Sequence, residues 1–169
     1  MDQIHFIITG GTIDSYYDGI KDTVVPNAKS IIPAFIKRIK MPAKPMFTVV
    51  CMKDSRAITD EDRLKMLGVI EQSTAKYFII THGTYTMPIT ARFLEKIIKK
   101  EATVILTGSF IPLPDVVRSD GAFNLGYSVA QLNHLQTGVY ISMNGQVLNP
   151  TEAQKLVEEG RFISSLAIS

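Results

Sequence analysis

Two threonine-bearing turns carry the side chains of this sequence best suited to nucleophilic chemistry. Thr9-Gly10-Gly11-Thr12-Ile13 follows the apolar run Ile4–Ile8, and Thr81-His82-Gly83-Thr84-Tyr85-Thr86-Met87 follows the run Tyr77–Ile80. In a parallel α/β sheet the chain leaves a strand at such points and faces the ligand crevice. The hydroxyls of Thr12 and Thr84 could therefore meet at one rim. Neither is nucleophilic alone, so an activating base must come from elsewhere.

The other reactive groups carry less. His82 tempts as a base, but it ends a buried run, where a histidine is more often structural. His5, His82 and His134 are scattered, and no His/Cys/Asp/Glu set has metal-ligand spacing, so no metal is expected. Gly10-Gly11 would allow a phosphate-cradling turn. It lacks the third glycine of a dinucleotide fingerprint, and no G-x-x-x-x-G-K-[ST] loop occurs. Ser109 after Gly108 lacks the flanks of a nucleophile elbow. Cys51, the single cysteine, lies in the apolar run Val49–Met52 and reads as core.

The elements that must position the threonines follow from patterning. Ile4–Ile8, Phe47–Met52, Tyr77–Ile80, Thr103–Leu106 and Val139–Met143 are short, continuous and β-branched, as strands buried on both faces are. Helical patterns lie between them. One spans Ala28 to Lys40. Thr59 caps a second, with Asp60, Glu61 and Asp62 in its first turn and Leu64, Leu67 and Ile70 on one face. Thr86 caps a third, with Ile89, Phe93, Ile97, Leu94 and Ile98 as its stripe. Ser119 or Asp120 opens a fourth, carrying Phe123, Tyr127 and Ala130. Asn149-Pro150 opens a last one ending near Gly160. Asp14 to Asn27 is the longest irregular stretch, either a lid or a disordered surface loop. The alternation implies a doubly wound, mostly parallel α/β sheet flanked by helices.

With 169 residues, 46% of them hydrophobic, and a net charge of +2, the chain fits a globular domain and not a nucleic-acid binder. No apolar run approaches the ~20 residues of a membrane span. The start Met1-Asp2-Gln3 lacks a basic signal-peptide region. Together with the lone cysteine, this points to the cytoplasm.

Taken as an ordered set, the motifs resemble the bacterial-type L-asparaginase family. The matching pieces are Thr9-Gly10-Gly11-Thr12-Ile13, Asp54-Ser55, Thr81-His82-Gly83-Thr84 with Thr86-Met87, Thr107-Gly108-Ser109 with Pro112, and Arg118-Ser119-Asp120-Gly121 with Asn124-Leu125. Their order follows the family's amino-terminal domain over nearly the whole chain. The resemblance implies a Rossmann- or flavodoxin-like fold, and residues 1–169 are expected to form one such domain without the family's carboxy-terminal domain. It implies Thr12 as the nucleophile and Thr84 as a second catalytic threonine linked to a lysine. Aligning Met143–Leu148 with the family's late strand places that lysine at Lys155, although Pro150-Thr151 stands where the family has Gly-Arg. Ser55 would hold the substrate carboxylate. Gly11 and the backbone at Gly83 and Thr84 would offer N–H donors to an oxyanion. A family tyrosine on the loop after the first motif falls at Tyr16 or Tyr17.

Two departures bear on specificity. Tyr85 stands where the family has the Asp that binds the substrate α-ammonium. A phenol is neutral at pH 7, and a cation–π contact of about 0.5–2 kcal/mol would replace that charge only in part. Arg56 replaces a small polar residue or Gln; it either faces inward and strengthens carboxylate binding or points to water.

The expected activity is hydrolysis of the side-chain amide of L-asparagine to aspartate and ammonia, with no cofactor. The alternatives are an amidase for another carboxylate-bearing amide, or a non-catalytic small-molecule-binding or regulatory protein on the same scaffold. The expected partners are a small-molecule amide and further copies of the chain in a homodimer or higher homo-oligomer, with no nucleic acid and no membrane.

Overall fold

The computed structural model describes residues 3–115 and 117–168. Met1 and Asp2, which bear on the signal-peptide reading, lie outside them. Five parallel strands form the centre: β1 (Gln3–Gly10), β4 (Lys44–Lys53), β5 (Tyr77–Thr81), β6 (Thr103–Thr107) and β7 (Gly138–Met143). Their order is β4-β1-β5-β6-β7, and β8 (Gln146–Leu148) adds an antiparallel edge. The strand cores coincide with the five apolar runs.

Alternation along the strands divides the core into two layers. Ile7, Phe78, Ile80, Val104 and Leu106 face α2 (Asp60–Gln72) and α3 (Met87–Ile97). Ile4, Phe6, Ile8, Ile79 and Ile105 face α1 (Ile32–Ile39) and α4 (Gly121–Gln131). Both faces are covered, so the sheet is doubly wound, as its continuous hydrophobic runs require. Among the described residues no helix is long and apolar enough to cross a membrane.

Helix faces depart from the simple patterns. Thr59 forms a full capping box with Asp62. Yet Leu64 is exposed, and Arg63, Met66 and Ile70 turn inward. The buried Arg63 donates to Thr90 Oγ1 at 3.1 Å and pairs with Asp60 at 2.7 Å, so a satisfied polar side chain takes the inner face. On α3 the buried line is Met87, Ala91 and Leu94, while Ile89 is exposed. α4 turns Asn124, Leu125 and Ser128 inward and leaves Phe123 stacked on Tyr127 outside. α1 begins at Ile32, four residues after the expected start.

Two stretches fold differently from expectation. Residues 14–27 are neither irregular nor disordered: β2 (Ser15–Asp18) and β3 (Thr23–Pro26) form a hairpin. The buried Asp14 ties its base, accepting from Asn27 Nδ2 at 3.2 Å and Ile31 N at 2.9 Å. The expected last helix is also a hairpin, β9 (Ala153–Leu156) with β10 (Arg161–Ser164). Asn149-Pro150 opens a turn, and Gly160, at φ 60°, sits in the hairpin's own turn. Phe162 is fully buried and faces Phe110, with ring centroids 6.2 Å apart. Asn144 Oδ1 accepts from Phe162 N at 2.9 Å. These long-range ties outweigh the local helix signal.

Candidate active site

Three loops converge at the carboxyl ends of β1, β4 and β5. Gly11, at φ 75°, lies so close to the β5 loop that a Cβ there would sit 2.4 Å from Gly83 N. A Cβ on Gly83 would sit 2.7 Å from Ser55 Cβ. Only glycine lets these three backbones meet. Thr86 fastens the arrangement. It does not cap α3 with its hydroxyl; that hydroxyl donates to Ser55 O at 2.6 Å, and Thr86 N donates to Ser55 Oγ at 3.4 Å.

The pocket so formed has a volume of about 250 Å³. It gathers Gly11, Thr12, Ser55, Arg56, Gly83, Thr84, Tyr85 and Lys155, eight of the nine residues expected at the site. Lys155 reaches in from β9 and donates from Nζ to Thr84 Oγ1 at 2.7 Å. Its Nζ lies 3.8 Å from the centroid of the Tyr85 ring and 5.2 Å from that of Phe110. Burial pushes the lysine pKa down, Arg56 pushes it further, and Asp54 opposes them. The lysine is thus drawn toward the range in which it can exchange a proton.

Two expected roles meet obstacles. Gly11 N–H is not free for an oxyanion, because it donates to Lys53 O at 2.9 Å. Among the described residues the N–H groups of Thr12 and Thr84, both in the pocket lining, have no backbone acceptor. Tyr16 does not line the pocket. In the β2–β3 hairpin it pairs with Val25, which does not line the pocket either, whereas Ser15, Thr23, Val24 and Pro26 do. Tyr17 pairs with the pocket-lining Val24 but does not itself line the pocket, and its hydroxyl bonds to Asp22 at the hairpin tip.

Arg56 takes the solvent-facing course, its side chain 69% exposed. It forks onto Asp54, with Nε to Oδ1 at 2.9 Å and Nη2 to Oδ2 at 3.2 Å, and lies 5.1 Å from the Tyr85 ring centroid. Asp54 and Phe110 are site residues that the sequence reading passed over. Asp54 had a visible signal, since it directly precedes Ser55. A larger groove of about 480 Å³ lies between α1 and the Leu113-Pro114 segment. It is mostly apolar, with Arg38 and Ser119 as its polar members, and holds no nucleophile–base pair.

Behind the pocket His82 is fully buried and braces the β5 loop. Its Nδ1 bonds Gly83 O at 2.8 Å, and its Nε2 faces Thr90 Oγ1 at 3.0 Å. With Arg63 donating to that hydroxyl oxygen, the consistent tautomer carries its proton on Nδ1. Burial holds the imidazole pKa down at about 4, against an ordinary 6.5. The unfolded chain therefore binds a proton that the folded chain refuses between those values. Stability from this site is complete above about pH 6.5 and falls as acid is added, by on the order of 3 kcal/mol by pH 4. Urea unfolding across that range is expected to show a smaller acid loss in His82→Gln than in the parent. Equal slopes would refute the assignment. Asp120 and Asn124 brace the neighbouring loop: Asp120 accepts from Phe110 N at 2.9 Å, and Asn124 Nδ2 donates to Gly108 O at 3.0 Å.

Fold and site define an α/β protein with a hydroxyl–lysine pocket at the carboxyl ends of its parallel strands. A family model for the asparaginase amino-terminal domain matches residues 3–161, and the chain belongs to the asparaginase family. It is 35% identical over 106 residues to the probable periplasmic L-asparaginase of Haemophilus influenzae, covering 60% of this chain and 30% of that one. It is 26% identical over 168 residues to the glutaminase-asparaginase of Pseudomonas aeruginosa, covering 93% of this chain and 46% of that one. The crystal structure of a probable cytoplasmic L-asparaginase from Campylobacter jejuni matches with a TM-score of 0.80 at 28% identity, over 97% of this chain and 53% of that one. The chain thus spans less than half the length of the two curated relatives and about half of that structure.

Proposed function

We propose that this chain is an amidohydrolase that releases ammonia from the side-chain amide of asparagine or a related carboxylate-bearing amide. The observation that carries this is the 2.7 Å contact between Lys155 Nζ and Thr84 Oγ1 in a pocket that Thr12 also lines. Thr12 Oγ1, which makes no hydrogen bond among the described residues, attacks the amide carbon. The carbonyl electrons move onto oxygen, where the Thr12 and Thr84 N–H groups receive them; such donors are worth about 3–4 kcal/mol. Collapse breaks the C–N bond, and the nitrogen leaves as ammonia with the proton given up by Thr12. Water then adds to the acyl-threonine, its proton passing through Thr84 to Lys155. The second collapse restores Thr12 and frees a carboxylate, and the proton held by Lys155 passes to the ammonia as ammonium. Ser55, nearly fully buried beneath, offers its hydroxyl to the substrate's own carboxylate.

Ammonia release from L-asparagine, L-glutamine, succinamate and N-acetyl-L-asparagine tests the proposal. Turnover of at least one is expected, and no release from any would sink it.

The hairpin supplies the proton acceptor for Thr12 in this reading. While Tyr17 bonds Asp22, that carboxylate raises its pKa and keeps the phenol a poor base. Release of the tip would turn the phenol toward the pocket. Tyr17→Phe is expected to lower kcat about 100-fold, and Tyr16→Phe to leave it within about twofold. The reverse ranking in steady-state assays would exclude Tyr17.

A further inference from the structure

The pocket's charges are unevenly matched. Its lining holds two cations, Arg56 and Lys155, and one carboxylate, Asp54. That carboxylate is paired with Arg56, both side chains being exposed. Oδ1 accepts from Arg56 N at 2.8 Å and from Nε at 2.9 Å, and Oδ2 accepts from Nη2 at 3.2 Å. Arg56 accordingly holds the Asp54 pKa down and keeps it ionised and paired. The Tyr85 ring already has both cations beside it. Two other carboxylates on the neighbouring segment are outside the lining: Asp14 is fully buried, its Oδ1 accepting from Asn27 and Ile31 and its Oδ2 without a hydrogen bond among the described residues, and Asp22 accepts from Tyr17. An incoming ammonium would meet the Arg56 guanidinium and no unpaired carboxylate in the lining. An incoming carboxylate would meet the Ser55 hydroxyl and, while it is protonated, Lys155.

We infer that this pocket takes carboxylate-bearing amides whose α-position is uncharged, the α-nitrogen being absent or acylated, and discriminates against a free α-ammonium; this rests on the amide-hydrolysis reading above. Arg56 is the specificity-determining residue, since it masks the one carboxylate in the lining. Its guanidinium and Lys155 Nζ both lie near the Tyr85 ring, 5.1 and 3.8 Å from its centroid. The cavity of about 250 Å³ suits a ligand of succinamate's size.

The experiment compares kcat/KM for succinamate and N-acetyl-L-asparagine with that for L-asparagine, by ammonia release from the full chain. Both are expected to exceed asparagine by about tenfold or more, as like-charge juxtaposition requires. Parity, or a preference for asparagine, would overturn the inference. Arg56→Gln frees Asp54 and is expected to raise the asparagine-to-succinamate ratio about tenfold; an unchanged ratio would remove Arg56 from the account. If no amide is hydrolysed, the proposed activity fails by itself, and calorimetric binding of the product analogues decides the inference. Succinate binding more tightly than aspartate sustains it. Equal binding, tighter aspartate, or binding of neither overturns it.

Discussion

Thr12→Ala is expected to lower kcat for amide hydrolysis by about 10⁴-fold or more, because loss of a nucleophile removes the covalent route itself. The fold should not notice. The Thr12 hydroxyl makes no hydrogen bond among the described residues, and the anchor of its segment is the neighbouring Ile13, fully buried. The melting temperature is therefore expected within about 2 °C of the parent, the range of a surface change below 0.5 kcal/mol. Thr12→Ser keeps a hydroxyl at the same position, primary in place of secondary, and should retain measurable turnover with an acyl-enzyme burst. Ammonia assays paired with thermal melts check both halves. Activity within about tenfold of the parent in Thr12→Ala would assign the nucleophile elsewhere.

The parts of this site that were legible in the sequence are those fixed by local physics. Both threonine turns end continuous apolar runs, and such runs become central strands whose ends meet at one edge. Gly11 and Gly83 announced tight backbone, although the reason, three loops in contact, lies in the fold. What was not legible depends on distant partners. Pro150 and Gly160 read locally as helix boundaries. The burial of Phe162 and its backbone bond to Asn144 make a hairpin instead, and that hairpin carries Lys155 to Thr84. Tyr16 and Tyr17 differ in their strand partners, Val25 and the pocket-lining Val24, and no local pattern shows which partner each takes. Arg56 was read as inward or solvated; it is solvated, and the sequence did not show that Asp54, two positions before it, pairs with it there near the Tyr85 ring.

Lys155→Met is expected to cost about 10³-fold in kcat, the scale of a lost general base. The residue is half-buried, and its Nζ bonds Thr84 alone, so the hairpin's backbone pairing to Phe162 survives the change. A charge-only role would be met by Lys155→Arg. A guanidinium stays protonated, so it can stabilise an anion and cannot accept the proton that Thr84 relays. Failure of Lys155→Arg to restore turnover therefore separates proton transfer from simple electrostatics. The pH profile adds an independent reading. Burial and then Arg56 hold the Lys155 pKa below 10.5, so the rising limb of kcat/KM should lie below an ordinary lysine's. Arg56→Gln removes a repelling charge and unmasks Asp54, which attracts the protonated form. Both effects raise the lysine pKa, so the limb must move to higher pH. A limb that stays in place in Arg56→Gln, or Lys155→Arg turning over like the parent, would take Lys155 out of the proton path.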